Sequence, residues 1–303
     1  MHNVNRQQIM KEMMNLLEVD NLHQQFKFLV KECLNSKRNF IFGELAILHY
    51  RIFKGKDKFI NNNKIAAIVE LFIMCYEMID NLRDKKQMNI PVFNSIVVNN
   101  EVGLMVLCNN WITSIPMPEK NRVKVKRAIL NHFLNYSSGK PLKNVHSEKD
   151  YIESVRLKSG KLTSLASVIG SLCGTTDEKD LTTVRKYSEQ IGVISQINKD
   201  LENILRTDDE NDLLNWPSRT LPIHYLSQGQ NQESQDVMSA IKLGEVYVEQ
   251  KLPQLVEKVK CSGVTDYIKI VHKFHQLIAL SYLVELNIDE SDRRLIEDYI
   301  PAP

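Results

Sequence analysis

Asp80 and Asp84 are four residues apart, a spacing that stacks two carboxylates one turn above the other on one face of a helix, with Glu77 one turn below. Two like charges that close repel each other, and a divalent cation relieves the repulsion. Mg²⁺ suits such a pair, because it takes a few carboxylates and completes its shell with water and phosphate oxygens. Lys85 and Lys86 follow directly, and the preceding run from Lys64 is apolar around most of its circumference, so the pair sits at the mouth of a buried helix. The competing reading is a solvated helix end, where acids simply follow an apolar run.

Other chemistry-bearing residues form no comparable set. His272 and His275 are three apart, but no Cys, Asp or Glu joins them at ligand spacing, which favours a structural or exposed pair. Cys33, Cys75, Cys108, Cys173 and Cys261 are odd in number and dispersed, mostly in apolar stretches. They read as buried, reduced thiols of a cytoplasmic protein. Trp111 and Trp216 are too few for an aromatic nucleic-acid platform. Met10, Met13 and Met14 suit helix packing, or contact with a partner peptide. Asp208, Asp209, Glu210 and Asp212 read as a solvated turn.

The elements that must position Asp80 and Asp84 are helices. In 303 residues there are only 11 Gly and 9 Pro, about half their usual combined share. Leu22, Phe26, Leu29, Val30 and Cys33 share one helical face, as do Val184, Tyr187, Ile191, Ile194 and Ile197. Gly, Pro, Asn and Ser cluster at 55–63, 88–91, 116–118, 137–145, 174–177, 207–217, 228–234 and 262–263, which predicts about ten helices. No break is long enough for a domain linker, so one domain over 1–303 is expected. The 39 basic and 37 acidic residues leave a net charge of +2, so no global field points to nucleic acid or an anionic membrane. Neither a signal peptide nor a membrane span is expected from the N-terminal pattern and the length of the apolar runs.

Asp80-Asn81-Leu82-Arg83-Asp84 resembles the first aspartate-rich motif, Asp-Asp-x-x-Asp, of trans-isoprenyl diphosphate synthases. Further segments follow in that superfamily's order from Ser36 to Pro222. Ser36-Lys37-Arg38 is similar to its Gly-Lys-Arg segment, and RLKSGKLTSL at 156–165 to its Lys-Thr-x-x-Leu helix. IGVISQINKDLEN at 191–203 is similar to the helix ending in Phe-Gln-x-x-x-Asp-Asp-x-x-Asp. Ser218-Arg219-Thr220-Leu221-Pro222 resembles Lys-x-Thr-Leu-Pro. Each segment is short; their joint order carries the resemblance. It implies an all-α isoprenoid synthase bundle around a central apolar cavity, and a homodimer.

The resemblance assigns Asp80, Asp84 and, more weakly, Asp200 to Mg²⁺, and Lys158, Gln196, Arg219 and Lys199 to a diphosphate. Lys37 and Arg38 would clamp a second anion or serve as surface charge or peptide contacts. Cys75 and Tyr76 would floor the isoprenoid pocket and favour a tail of ten to fifteen carbons, geranyl or farnesyl; core packing is the alternative role for Tyr76. No catalytic base is assigned. The departures matter as much: Asn81 replaces an aspartate, Lys199 and Asn203 replace the outer acids of the second motif, and Ser218 replaces a lysine. They suit the branch that prenylates a tryptophan of a competence pheromone precursor in quorum sensing, which needs one diphosphate substrate and a precursor peptide. A short-chain prenyl diphosphate synthase and a non-catalytic partner subunit of one are the other two readings.

Overall fold

The computed structural model describes residues 6–19, 24–37, 39–54, 62–83, 102–115, 117–138, 147–175, 177–214 and 220–302. Among them the regular elements are all helical: α1 Arg6–Val19, α2 Gln24–Ser36, α3 Ile41–Lys54, α4 Asn62–Arg83, α5 at 102–111, α6 Glu119–Ser138, α7 Glu148–Val155, α8 Lys161–Leu172, α9 Glu178–Leu205, α10 Leu221–Gln228, α11 Gln232–Lys242, α12 Glu245–Cys261, α13 Val264–Val284 and α14 Glu290–Glu297. A π-helical turn, Arg156–Gly160, links α7 to α8. The all-α expectation holds.

The described helices outnumber the ten expected because some breaks carry little Gly or Pro. The α11–α12 joint is Leu243-Gly244, where Gly244 adopts φ 102°, a conformation that other residues reach only with strain. The α12–α13 joint falls at the expected Ser262-Gly263, and Gly263 has φ 86°.

The chain forms two compact units. The first comprises Met1–Asn135 and Leu165–Arg185, the second Tyr136–Ser164 and Lys186–Pro303. In the first unit α4 is the central element, with α1 and α3 packed on it. Every residue from Ile65 to Tyr76 is buried, which is what an apolar stretch without a polar stripe requires. Helices approach closely where side chains are smallest. A Cβ on Gly43 would stand 2.9 Å from the Ala66 Cβ, and one on Gly170 only 2.0 Å from the Ala46 carbonyl oxygen. Asn121 donates from Nδ2 to the carbonyls of Leu172 at 2.7 Å and Thr175 at 3.0 Å, satisfying acceptors that the end of α8 leaves open.

The core of the second unit gathers Tyr151 and Val155 of α7, Val193, Ile197 and Ile204 of α9, and apolar residues of α10 to α13. Tyr187, Ile191, Ile194 and Ile197 are all buried, as their spacing predicts. Cys75, Cys108 and Cys173 are buried, but Cys261, at the C-terminal end of α12, is exposed, against expectation; among the described residues no disulfide is formed.

Candidate active site

The first acidic helix ends inside the described residues, but its chemistry only partly does. Asp80 lies in the last turns of α4, in a stretch where the backbone alone is described; Asp84 lies outside the described residues, as do Arg38 and Arg219. Cys75 and Tyr76 are buried in the first unit. The Tyr76 ring meets Phe72 and His132 edge-on, with centroids 5.2 and 4.9 Å away, and the Cys75 thiol donates to the Leu71 carbonyl at 3.4 Å. Burial pushes the Tyr76 phenol well above its ordinary pKa.

The same helix carries an acid that pattern reading passed over. Glu70 lies in the middle of the apolar run and is fully buried. It accepts the Gly43 main-chain N–H at 2.7 Å and pairs with Lys37 at 3.0 Å. Burial raises its pKa, against the lowering influence of Lys37 and the Gly43 N–H. Lys37 also reaches Glu77 at 3.0 Å. A single acid inside twelve otherwise apolar or small residues was the available signal, since a buried carboxylate needs a partner.

In the second unit two of the expected residues, Gln196 and Asp200, form a connected hydrogen-bond chain with Ser159 and Tyr151. Ser159, in the π-helical turn beside Lys158, donates to Gln196 Oε1 at 2.9 Å; Gln196 Nε2 donates to Asp200 Oδ1 at 2.6 Å; and the Tyr151 hydroxyl donates to Asp200 Oδ2 at 2.6 Å. Gln196 and Asp200 share a face of α9 because they are four apart. A π turn is an interruption often kept at functional sites, and here it places Ser159 against α9. Two glycines permit the approach: a Cβ on Gly192 would lie 2.4 Å from the Ser159 carbonyl oxygen and 2.7 Å from the Gly160 Cα. Glu189 fixes the flank by pairing with Arg156 at 3.1 Å and with Lys161.

Asp200 is buried, and burial raises its pKa to about 7. Tyr151 and Gln196 pull it down, Asp212 adds to the rise and Lys199 opposes it. Lys199 and Glu202 are exposed, Asn203 and Lys158 half-buried. Asp212, expected in a solvated turn, is itself buried, unlike Asp208, Asp209 and Glu210. Among the described residues no group of three His, Cys, Asp or Glu could hold a metal ion. The α9 donors fit one poorly: Asp200 is engaged at both oxygens and its neighbour Lys199 is a cation. Tyr151 and Ser159 were missed by pattern reading, although Tyr151 lies two helical turns before Lys158 and hence on a related face.

No family model matches the chain. Two curated relatives do. The tryptophan prenyltransferase ComQ of Bacillus subtilis (strain 168) is 26% identical over 296 residues, covering 94% of this chain and 95% of the relative. The protein of the same name from Bacillus subtilis subsp. natto (strain BEST195) is 29% identical over 270 residues, covering 87% and 82%. The chain is similar to both tryptophan prenyltransferases over most of its length.

Solved structures resemble this chain at lower identity. Geranylgeranyl pyrophosphate synthetase from Pyrococcus horikoshii Ot3 superposes with a TM-score of 0.76 at 14% identity, over 97% of this chain and 94% of that one. Geranylgeranyl pyrophosphate synthase from Corynebacterium glutamicum, complexed with calcium and isoprenyl diphosphate, gives 0.73 at 16%, over 96% and 94%. Heptaprenyl diphosphate synthase from Staphylococcus aureus gives 0.71 at 16%, over 97% and 96%. The fold is that of the isoprenyl diphosphate synthases, as the ordered motifs implied.

Proposed function

We propose that the protein is a prenyltransferase that moves a geranyl or farnesyl group from its diphosphate to a tryptophan of a pheromone precursor peptide, in the cytoplasm, as a step of quorum sensing. The observation that carries this reading is the near full-length likeness to two tryptophan prenyltransferases. The departures at Lys199, Asn203 and Ser218 support transfer over chain elongation, because they weaken the acidic and basic residues that handle a second diphosphate.

Mg²⁺ is proposed at Asp80 and Asp84, where it would neutralise charge on the leaving diphosphate. Lys158, Arg219 and the exposed Lys199 are proposed to bind the diphosphate oxygens. Gln196 joins them through its second amide N–H, the first being given to Asp200. Asp200 then orients Gln196, with Tyr151 holding Asp200 in place. Cys75 and Tyr76 border the isoprenyl tail, where apolar walls keep water from the allylic cation. Indole is electron-rich and attacks that cation without an activated nucleophile.

A homodimer is part of the proposal; Val102 and Val106 on α5 and Leu130 and Leu134 on α6 expose the apolar surface that a second copy would cover. Co-expression with short tryptophan-containing peptides, followed by mass measurement, tests the function. A geranyl or farnesyl mass increment on the peptide supports it. Elongation of an allylic diphosphate by isopentenyl diphosphate without any peptide would instead favour a short-chain synthase, the reading that the solved neighbours' names suggest.

A further inference from the structure

Lys37, just beyond α2, is enclosed by its own chain. Its side chain is 10% exposed, and Glu70 and Glu77 each bring a carboxylate oxygen to 3.0 Å from the ammonium. The Phe42 ring closes another side, its centroid 5.9 Å from Nζ. Glu70 is fixed: it is fully buried and held at its other oxygen by the Gly43 N–H. Glu77, two turns further along α4, is not fixed in that way, since 47% of its side chain is exposed.

One ammonium between two carboxylates leaves the trio with a net negative charge. Burial pulls the Lys37 pKa down, yet Glu70 and then Glu77 together hold it above its ordinary value, so the cation stays charged and paired. An incoming diphosphate at Nζ would compete with Glu77, and it would stand beside the buried Glu70 carboxylate. Like charges at such separations repel by kilocalories in a partly buried site. Glu77 already occupies the place an anionic ligand would take.

We infer that Glu70 and Glu77, by engaging Lys37, exclude a second diphosphate from this end of α4 and so determine that the protein takes a single diphosphate substrate. This rests on the prenyl-transfer reading above and names the residues that enforce it. Glu70 is the anchor and Glu77 the displaceable arm.

The test is calorimetric titration of isopentenyl diphosphate into the full-length protein, its E77Q and E77A variants, and E297Q, which removes an exposed carboxylate on α14. Expected is weak binding to the unmodified protein and to E297Q, and binding tighter by about tenfold or more in both Glu77 variants. Equal affinity in unmodified protein and E77Q, or an equal gain in E297Q, would overturn the inference. Transfer to a tryptophan peptide is followed on the same preparations. Absent transfer with the Glu77 gain intact defeats the proposed function and leaves the exclusion standing; transfer without the gain defeats the exclusion alone.

Discussion

At the scale of single residues, two buried titratable groups act on stability in opposite directions. His49 on α3 is fully buried, and burial lowers its pKa from 6.5 to about 4, although its Nδ1 hydrogen bond to the Leu45 carbonyl at 2.7 Å opposes this. A histidine kept neutral by the fold favours folding above pH 6.5, and that contribution is lost as the pH falls toward 4. Asp200 is the reverse case. Its pKa is raised from 3.8 to about 7, so its contribution is fully present below pH 3.8 and is lost as the pH rises through 7. Each is worth on the order of 3 kcal/mol at its limit. In metal-free protein the two largely cancel between pH 4 and 7. Denaturant titrations across that range should show His49→Gln losing stability with rising pH and Asp200→Asn gaining it; parallel curves for the two variants would contradict the assignment.

Tyr76 is testable in the same way. Its ring fills space between Phe72 and His132, so Tyr76→Ala should cost about 3 kcal/mol or more if the cavity stays empty. If that space borders the isoprenyl tail, the variant should also shift preference toward a longer allylic diphosphate, read as relative kcat/KM. Unchanged preference with the expected destabilisation would leave Tyr76 a core residue only. The sequence made Asp80, Gln196 and Asp200 visible because spacing of four is a helical signal. It hid Glu70 and Tyr151, whose roles depend on partners 33 and 49 positions away in the chain, Lys37 and Asp200 respectively, since tertiary pairing leaves no local periodicity.

At the scale of elements, the π-helical turn and α9 depend on each other. Its five residues carry Lys158 and Ser159, and it lies against α9 only because Gly160 and Gly192 lack side chains. Gly192→Ala places a methyl group against main-chain atoms of the turn, which cannot swing aside as a flexible side chain would. Such overpacking costs typically about 1–3 kcal/mol. The expected result is a lower thermal midpoint together with a raised KM for the allylic diphosphate, because the Ser159–Gln196 hydrogen bond is forced apart. A stable variant with unaltered KM would show that the close approach is not needed. Helix identity was legible from apolar period, as at Val184 to Ile197, and from Gly or Pro at the breaks. The α11–α12 joint was not, because Gly244 is its one turn-forming residue, and neither was the π turn, whose sequence is compatible with an ordinary helix.

At the scale of the whole molecule, two helices are divided between the compact units. α8 gives Lys161–Ser164 to the second unit and its remainder to the first, while α9 gives Glu178–Arg185 to the first and its remainder to the second. Unfolding one unit alone would therefore have to interrupt both helices in mid-course, where each residue's N–H is bonded four residues back. If 1–303 unfolds as one domain, calorimetry should give a single transition whose van't Hoff and calorimetric enthalpies agree. Two resolved transitions would contradict it. Ligand linkage then separates folding from the site. Mg²⁺ with an allylic diphosphate analogue at a hundredfold excess over its Kd should stabilise the protein by about 2.7 kcal/mol. Asp80→Asn should remove most of that gain while leaving the ligand-free midpoint nearly unchanged, because Asp80 lies at the end of α4, beyond its buried run from Ile65 to Tyr76. A gain preserved in Asp80→Asn would place the metal elsewhere.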